Sequence, residues 1–223
     1  MKKDKYIKRT AKDKRRDSVR SPHRAEIMNE KQPCNILLAG VGGQGVLLAS
    51  RIVSYAFFEA GYDVKQAEIH GMAQRGGSLS SHIRAGGKIY SPLIPRNSAH
   101  FLISFETMET LRYLDFLSRT SIVIINDHKI SPPSVAQGLE PYPENVSELI
   151  SEITKKSYLL SGQEIAEEIG DVRVANSVII GFTASFLPVP LKVWEKVYTQ
   201  TTPKKYLKLN LKAFHKGNSF KFV

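Results

Sequence analysis

The 223-residue chain is poor in cysteine: Cys34 is the only one. A single thiol excludes an internal disulfide, a four-cysteine iron–sulfur cluster and a cysteine-rich zinc site. Any electron-carrying centre of that kind must belong to another chain, and Cys34 itself is expected as a small buried hydrophobe in the first core strand. No apolar run approaches the length of a bilayer span, and the N-terminus has no apolar stretch of a secretory signal. The expectation is a soluble, cytoplasmic protein. Also missing are a nucleophile elbow, a Walker lysine–serine pair and a zinc-binding helix motif.

Charge is abundant but lopsided. The formal net charge is +11; residues 1–31 hold twelve Lys or Arg against five Asp or Glu, a net of +7, which leaves +4 for everything else. The globular part is therefore only mildly basic, which argues against nucleic acid as the main partner. Residues 1–31 have few large apolar side chains and no periodicity, the composition of a disordered extension. Met28, just before the first apolar run, is an alternative start of translation.

From Cys34 onward the chain reads as one α/β domain over 32–187 with a helical C-terminal extension over 188–223. "CNILLAG" is a buried strand; "VLLASRIVSYAFFEAG" has its apolar residues at helical spacing; "YDVKQAEIH" and "SLSSHIRAG" alternate as strands. Ser80, His82 and Arg84 take the outward positions of the latter, and Gly86-Gly87 supplies a turn into "KIYSPLI", a β-hairpin insertion. "HFLISF" and "SIVIIND" are buried strands around an amphipathic helix, "ETMETLRYLDFLSR". Prolines break the segment 131–145, and the remainder is largely helical. Strands alternating with helices predict a Rossmann-like, doubly wound, mostly parallel sheet.

The motif with chemistry in it is "GVGGQG". Gly40, Gly42 and Gly45 satisfy G-x-G-x-x-G between a strand and a helix, with Gly43 and Gln44 between them. Such a loop brings backbone N–H groups and a helix N-terminus close to a phosphate, pyrophosphate or carboxylate. It also serves as a tight strand-to-helix turn with no ligand. A nicotinamide cofactor would need an acidic residue at the end of the second strand; Glu68 stands there, somewhat late in spacing. A second loop, "HGMAQRGGS", puts Arg75 beside Gly76 and Gly77, a bidentate cation where a carboxylate or phosphate can approach. His70 and Gln74 flank it; His70 is a candidate for proton transfer near neutral pH. Asn176 is polar inside the apolar "VANSVIIGF", so it either satisfies a backbone group or lines the site.

Together, "GVGGQGVLLAS", "AEIHGMAQRGGSLSSHIR" and "RVANSVIIGF" resemble, in order and separation, the three signatures of the gamma-type domain of the 2-oxoacid:ferredoxin oxidoreductases. The resemblance covers about Asn35 to Leu187, and the size and helical extension are most similar to the beta-type subunits that act on arylpyruvates such as indolepyruvate. It implies oxidative decarboxylation of a 2-oxoacid with coenzyme A as co-substrate, giving acyl-CoA, carbon dioxide and reduced ferredoxin. By the same resemblance, thiamine diphosphate and the 4Fe-4S clusters lie on an alpha subunit, and this chain holds no cofactor or metal and has no activity alone. The implied loop for an anion or the partner's cofactor is Gly40, Gly42, Gly43, Gln44 and Gly45; the implied substrate contacts are His70, Gln74, Arg75, Gly76, Gly77 and Asn176. The competing reading from the glycine motif alone is a stand-alone NAD(P)-dependent oxidoreductase.

Overall fold

The computed structural model describes residues 5–9, 33–71 and 76–220. The strands are β1 (Ile7–Arg9), β2 (Cys34–Val41), β3 (Asp63–His70), β4 (Ser78–Gly86), β5 (Ala99–Ser104), β6 (Leu117–Asn126) and β7 (Lys156–Leu160). They form one sheet in the order β1-β7-β6-β5-β2-β4-β3. The central strands β7, β6, β5 and β2 run parallel, while β4 and β3 on one side and β1 on the other are antiparallel to their neighbours.

Alternate residues of the central strands feed cores on opposite faces, as a pleated strand buried on both sides requires. Ile36 and Leu38 of β2, Phe101 and Ile103 of β5, and Ile122 and Ile124 of β6 join the larger core. Leu37, Leu102 and Val123 join the smaller. The larger core is roofed by α1 (Val46–Glu59), α4 (Gly162–Ile169), α5 (Ala175–Ala184), α6 (Leu191–Thr201) and α7 (Lys204–Asn218). Over the smaller one lie α3 (Val146–Ile153) and a 3-10 segment, Met108–Phe116; α2 (Pro133–Ala136) is a single turn in the proline-rich connection. Helices on both faces are the doubly wound arrangement expected from the sequence.

Several local expectations change. Gly86 ends β4, but 88–94 forms no strand; the antiparallel partner that makes the hairpin with β4 is β3, on the other side of residues 71–77. Side chains take over the backbone partners of 88–94: the Asp63 carboxylate accepts from Ile89 N at 2.7 Å, and Arg84 Nη1 donates to Ser91 O at 3.0 Å. Ser80 and His82 are buried rather than outward, because the segment around Ile94 and the ring of Phe116 cover that face. The amphipathic segment after β5 winds as a 3-10 helix with a kink at Tyr113, and its expected end, Leu117–Arg119, belongs to β6. β7 lies where helix was expected. Part of the basic extension is structured: β1 pairs with β7, and Tyr6 is buried with its hydroxyl donating to Glu168.

Candidate functional site

The glycine loop leaves β2 at its C-terminal end and opens α1. In open α/β sheets this edge is where ligands bind, because strand ends and helix N-termini converge there. Gly43 and Gly45 have φ of 101° and 76°, conformations in which a side chain is strained. Gly40 is required for a different reason: a Cβ there would lie 2.7 Å from Val46 Cγ2 and 2.9 Å from Gln44 Oε1. α1 has no acidic residue in its first turn, so nothing in that turn opposes an anion at its opening.

Gln44 is not aimed outward. Its Oε1 accepts from Val41 N (2.7 Å) and its Nε2 donates to Phe105 O (3.0 Å), stapling the loop to the end of β5. The same carbonyl receives Asn126 Nδ2 at 3.3 Å, and Asn126 Oδ1 accepts from Gly162 N at 3.1 Å, so the staple reaches β6 and the start of α4. Asn176, at the start of α5, donates through Nδ2 to Gln44 O at 2.6 Å. Of the two roles open to it, satisfying a backbone group is the one its geometry shows.

Among the described residues, the second loop meets the first through backbone bonds. Gly42 N donates to Gly77 O at 2.8 Å, Gly76 N reaches Gly42 O at 3.4 Å, and Gly71 N donates to Ser78 O at 3.0 Å across the loop base. The second and third motif segments thus both bond to the first, within the six-residue stretch Gly40–Gly45. His70 is exposed at the end of β3, its Nδ1 3.3 Å from Gly71 O. Gln74 and Arg75 lie outside the described residues.

Other polar groups at this edge gave no motif signal. Glu106, after β5, is fully buried: one oxygen accepts from Tyr142 Oη and Ile130 N (3.1 Å), the other from Glu109 N (2.7 Å). Desolvation and the Glu106 carboxylate push the Tyr142 phenol well above its usual range. Glu109, 3% exposed, accepts from Ser78 Oγ and from Arg112 Nε (2.9 Å). A carboxylate after an apolar strand signals a helix opening more often than a buried acceptor, so these acids could be found only once the strands were placed.

Among the described residues no group of three or more His, Cys, Asp or Glu is arranged to hold a metal ion. Cys34 is fully buried, and burial pushes its thiol up to about 12, so it offers no thiolate to a cluster. Glu68 also loses the ribose-binding role: β3 is separated from β2 by β4, whereas that role needs a strand end beside the glycine loop, and its carboxylate accepts from Gln66 instead. A groove of about 470 Å³ between α1 and β3 is lined by residues such as Leu48, Arg51, Phe58 and Val64, and includes none of the described loop residues.

The model of one protein family, pyruvate ferredoxin/flavodoxin oxidoreductase, matches residues 35–220. The chain belongs to this family. It is 42% identical over 188 residues to the indolepyruvate oxidoreductase subunit IorB of Archaeoglobus fulgidus, covering 82% of this chain and 92% of that one. To the IorB subunit of Pyrococcus horikoshii it is 35% identical, over 82% of this chain and 93% of that one. Among solved structures, the gamma subunit of a keto/oxoacid ferredoxin oxidoreductase from Geobacter sulfurreducens superposes with a TM-score of 0.61 at 21% identity, covering 82% of this chain and 95% of that one. That agreement is one of fold. The family match extends through α7.

Proposed function

We propose that this chain is the redox-inactive, gamma-type subunit of a 2-oxoacid:ferredoxin oxidoreductase acting on arylpyruvates such as indolepyruvate, with coenzyme A as co-substrate and ferredoxin as acceptor. The reading places thiamine diphosphate and the iron–sulfur clusters on an alpha subunit in the cytoplasm. The identity to IorB subunits supports the substrate class. The observation that carries the site is the convergence of the second and third motif segments on the first, at Gly40–Gly45 and the C-terminal edge of the parallel strands.

In this reading the chain's own work is geometric and electrostatic. Backbone N–H groups at the opening of α1 and the Arg75 guanidinium, with Gly76 and Gly77 leaving room beside it, hold the carboxylate of the oxoacid or the phosphates of coenzyme A against the partner. His70 and Gln74 are the further substrate contacts of this reading. Gln44 and Asn176 shape the loop from behind.

The test is reconstitution. The purified chain is mixed with a thiamine-dependent alpha subunit, and reduction of ferredoxin is followed with indolepyruvate, pyruvate or 2-oxoglutarate plus coenzyme A. Turnover that requires both chains and prefers indolepyruvate is the expected result. Oxidation of a substrate by the single chain with NAD(P) would replace the reading with the dinucleotide enzyme.

A further inference from the structure

Ser78 is the point where both loops and the 3-10 segment meet. It stands opposite Val41, the last residue of β2, and its carbonyl accepts from Gly71 N at 3.0 Å to close the base of the second loop. Its hydroxyl donates to Glu109 Oε2, with the Tyr113 hydroxyl 3.3 Å away. Glu109 is held in turn: its other oxygen accepts from Arg112 Nε at 2.9 Å, and its backbone N–H donates to the buried Glu106 at 2.7 Å.

A carboxylate 3% exposed is a costly occupant for this position, since an apolar residue of similar volume would fill it without desolvating a charge. What the carboxylate supplies is direction. The β4 ladder fixes the chain as far as Ser78, but the residues before it are Gly77 and Gly76, which restrain backbone rotation least. Among the described residues, the clasp to Gly42 consists of two backbone bonds, one of them 3.4 Å long. A charge-assisted hydrogen bond at the first residue of β4 therefore sets the angle at which the glycines leave the sheet and reach Gly42.

We propose that Glu109 and Ser78 are positioning residues: they set how Gly76 and Gly77 lie against the glycine loop at the opening of α1. What the loops bind rests on the proposed function; the positioning itself does not. Neither residue touches the substrate in this scheme. Glu109 acts through Ser78, and Ser78 acts through Gly77 and Gly42.

The experiment makes Ser78→Ala, Glu109→Ala and Glu109→Gln in the full chain and reads two quantities. The first is amide hydrogen exchange at Gly42 in the isolated chain. The second is kcat and KM for oxoacid and coenzyme A in the reconstituted complex. Ser78→Ala and Glu109→Ala are expected to speed Gly42 exchange and to lower kcat/KM, each by about tenfold or more, because small displacements of positioning groups are expensive in rate. Glu109→Gln keeps an acceptor for Ser78 and is expected to restore most of both. Unchanged Gly42 exchange in Ser78→Ala overturns the proposal, and so does faster exchange with unchanged kcat/KM in an active complex. Should Glu109→Ala fail to fold, Ser78→Ala, which removes one hydroxyl, still decides. A wild-type complex inert toward oxoacids would sink the functional reading, while Gly42 exchange would continue to decide the positioning.

Discussion

Asn176 shows how a single side chain can look like a ligand contact in a sequence and act on backbone in the fold. Its amide donates to Gln44 O at 2.6 Å and lies 3.1 Å from where a Cβ on Gly45 would sit. Asn176→Ala leaves that carbonyl without its side-chain donor, and is expected to cost about 1–2 kcal/mol in the urea unfolding free energy. Turnover of the complex should fall further than stability accounts for, because the loop it supports is the proposed anion site. Arg75→Ala is expected to behave in the opposite way: a cation in a glycine-rich segment contributes little to a core, so the unfolding midpoint should be unchanged while kcat/KM in the complex drops. Equal loss of folding and turnover in Arg75→Ala would make that residue structural. Glu106 and Glu109 were illegible in the sequence because a buried acid is defined by the N–H and O–H groups that surround it, and those come from residues up to 36 positions away.

At the level of elements, the tightest packing is between α5 and α7. A Cβ on Gly181 would fall 2.0 Å from Phe214 O, and one on Gly217 would fall 2.0 Å from Val178 O, so the two helices cross backbone to backbone. Gly181→Ala should therefore separate them and cost roughly 3 kcal/mol or more, read as a lower unfolding midpoint with unchanged denaturant slope. A stable Gly181→Ala protein would mean that the helices slide apart without penalty. β3 and β4 teach the converse lesson. Their alternation was plain in the sequence, but their direction was not: strands joined by a short loop can pair with each other or with distant strands, and only the neighbour chosen decides which. β7 was missed because five residues beside lysines carry too little period, and its strand character comes from pairing β6 and β1 on its two sides.

The whole molecule carries a pH response through two histidines away from the site, His82 buried and His100 half-buried. His82 Nδ1 accepts from Ile94 N (3.2 Å) and His100 Nδ1 from Asn35 N (3.0 Å), and desolvation lowers both below the ordinary 6.5. Each is held neutral in the fold, so the unfolded chain takes up protons first as pH falls. Stability is full above about 6.5 and declines below it, on the side where the unfolded state binds more protons. Thermal unfolding between pH 8 and pH 5 should show this decline, and His82→Gln should flatten it. The N-terminal strand is a second property of the whole chain. A protein beginning at Met28 would lack Tyr6 and the pairing of β1 with β7, and is expected to be roughly 2 kcal/mol less stable, the worth of one buried aromatic.

Sequence alone determined which loops the chain has and that it cannot supply four cysteines to a cluster. One cysteine ruled out a cluster; glycine spacing marked the turn that opens α1; and apolar period placed most strands and helices, because those signals depend on neighbours within a few residues. Tertiary structure decided which strands are neighbours, that Glu68 stands two strands away from the glycine loop, that Gln44 and Asn176 face backbone, and that two acids lie buried behind the site. Those facts arise from contacts between segments far apart in the chain, and a hydrogen bond across 132 residues leaves no local pattern to read.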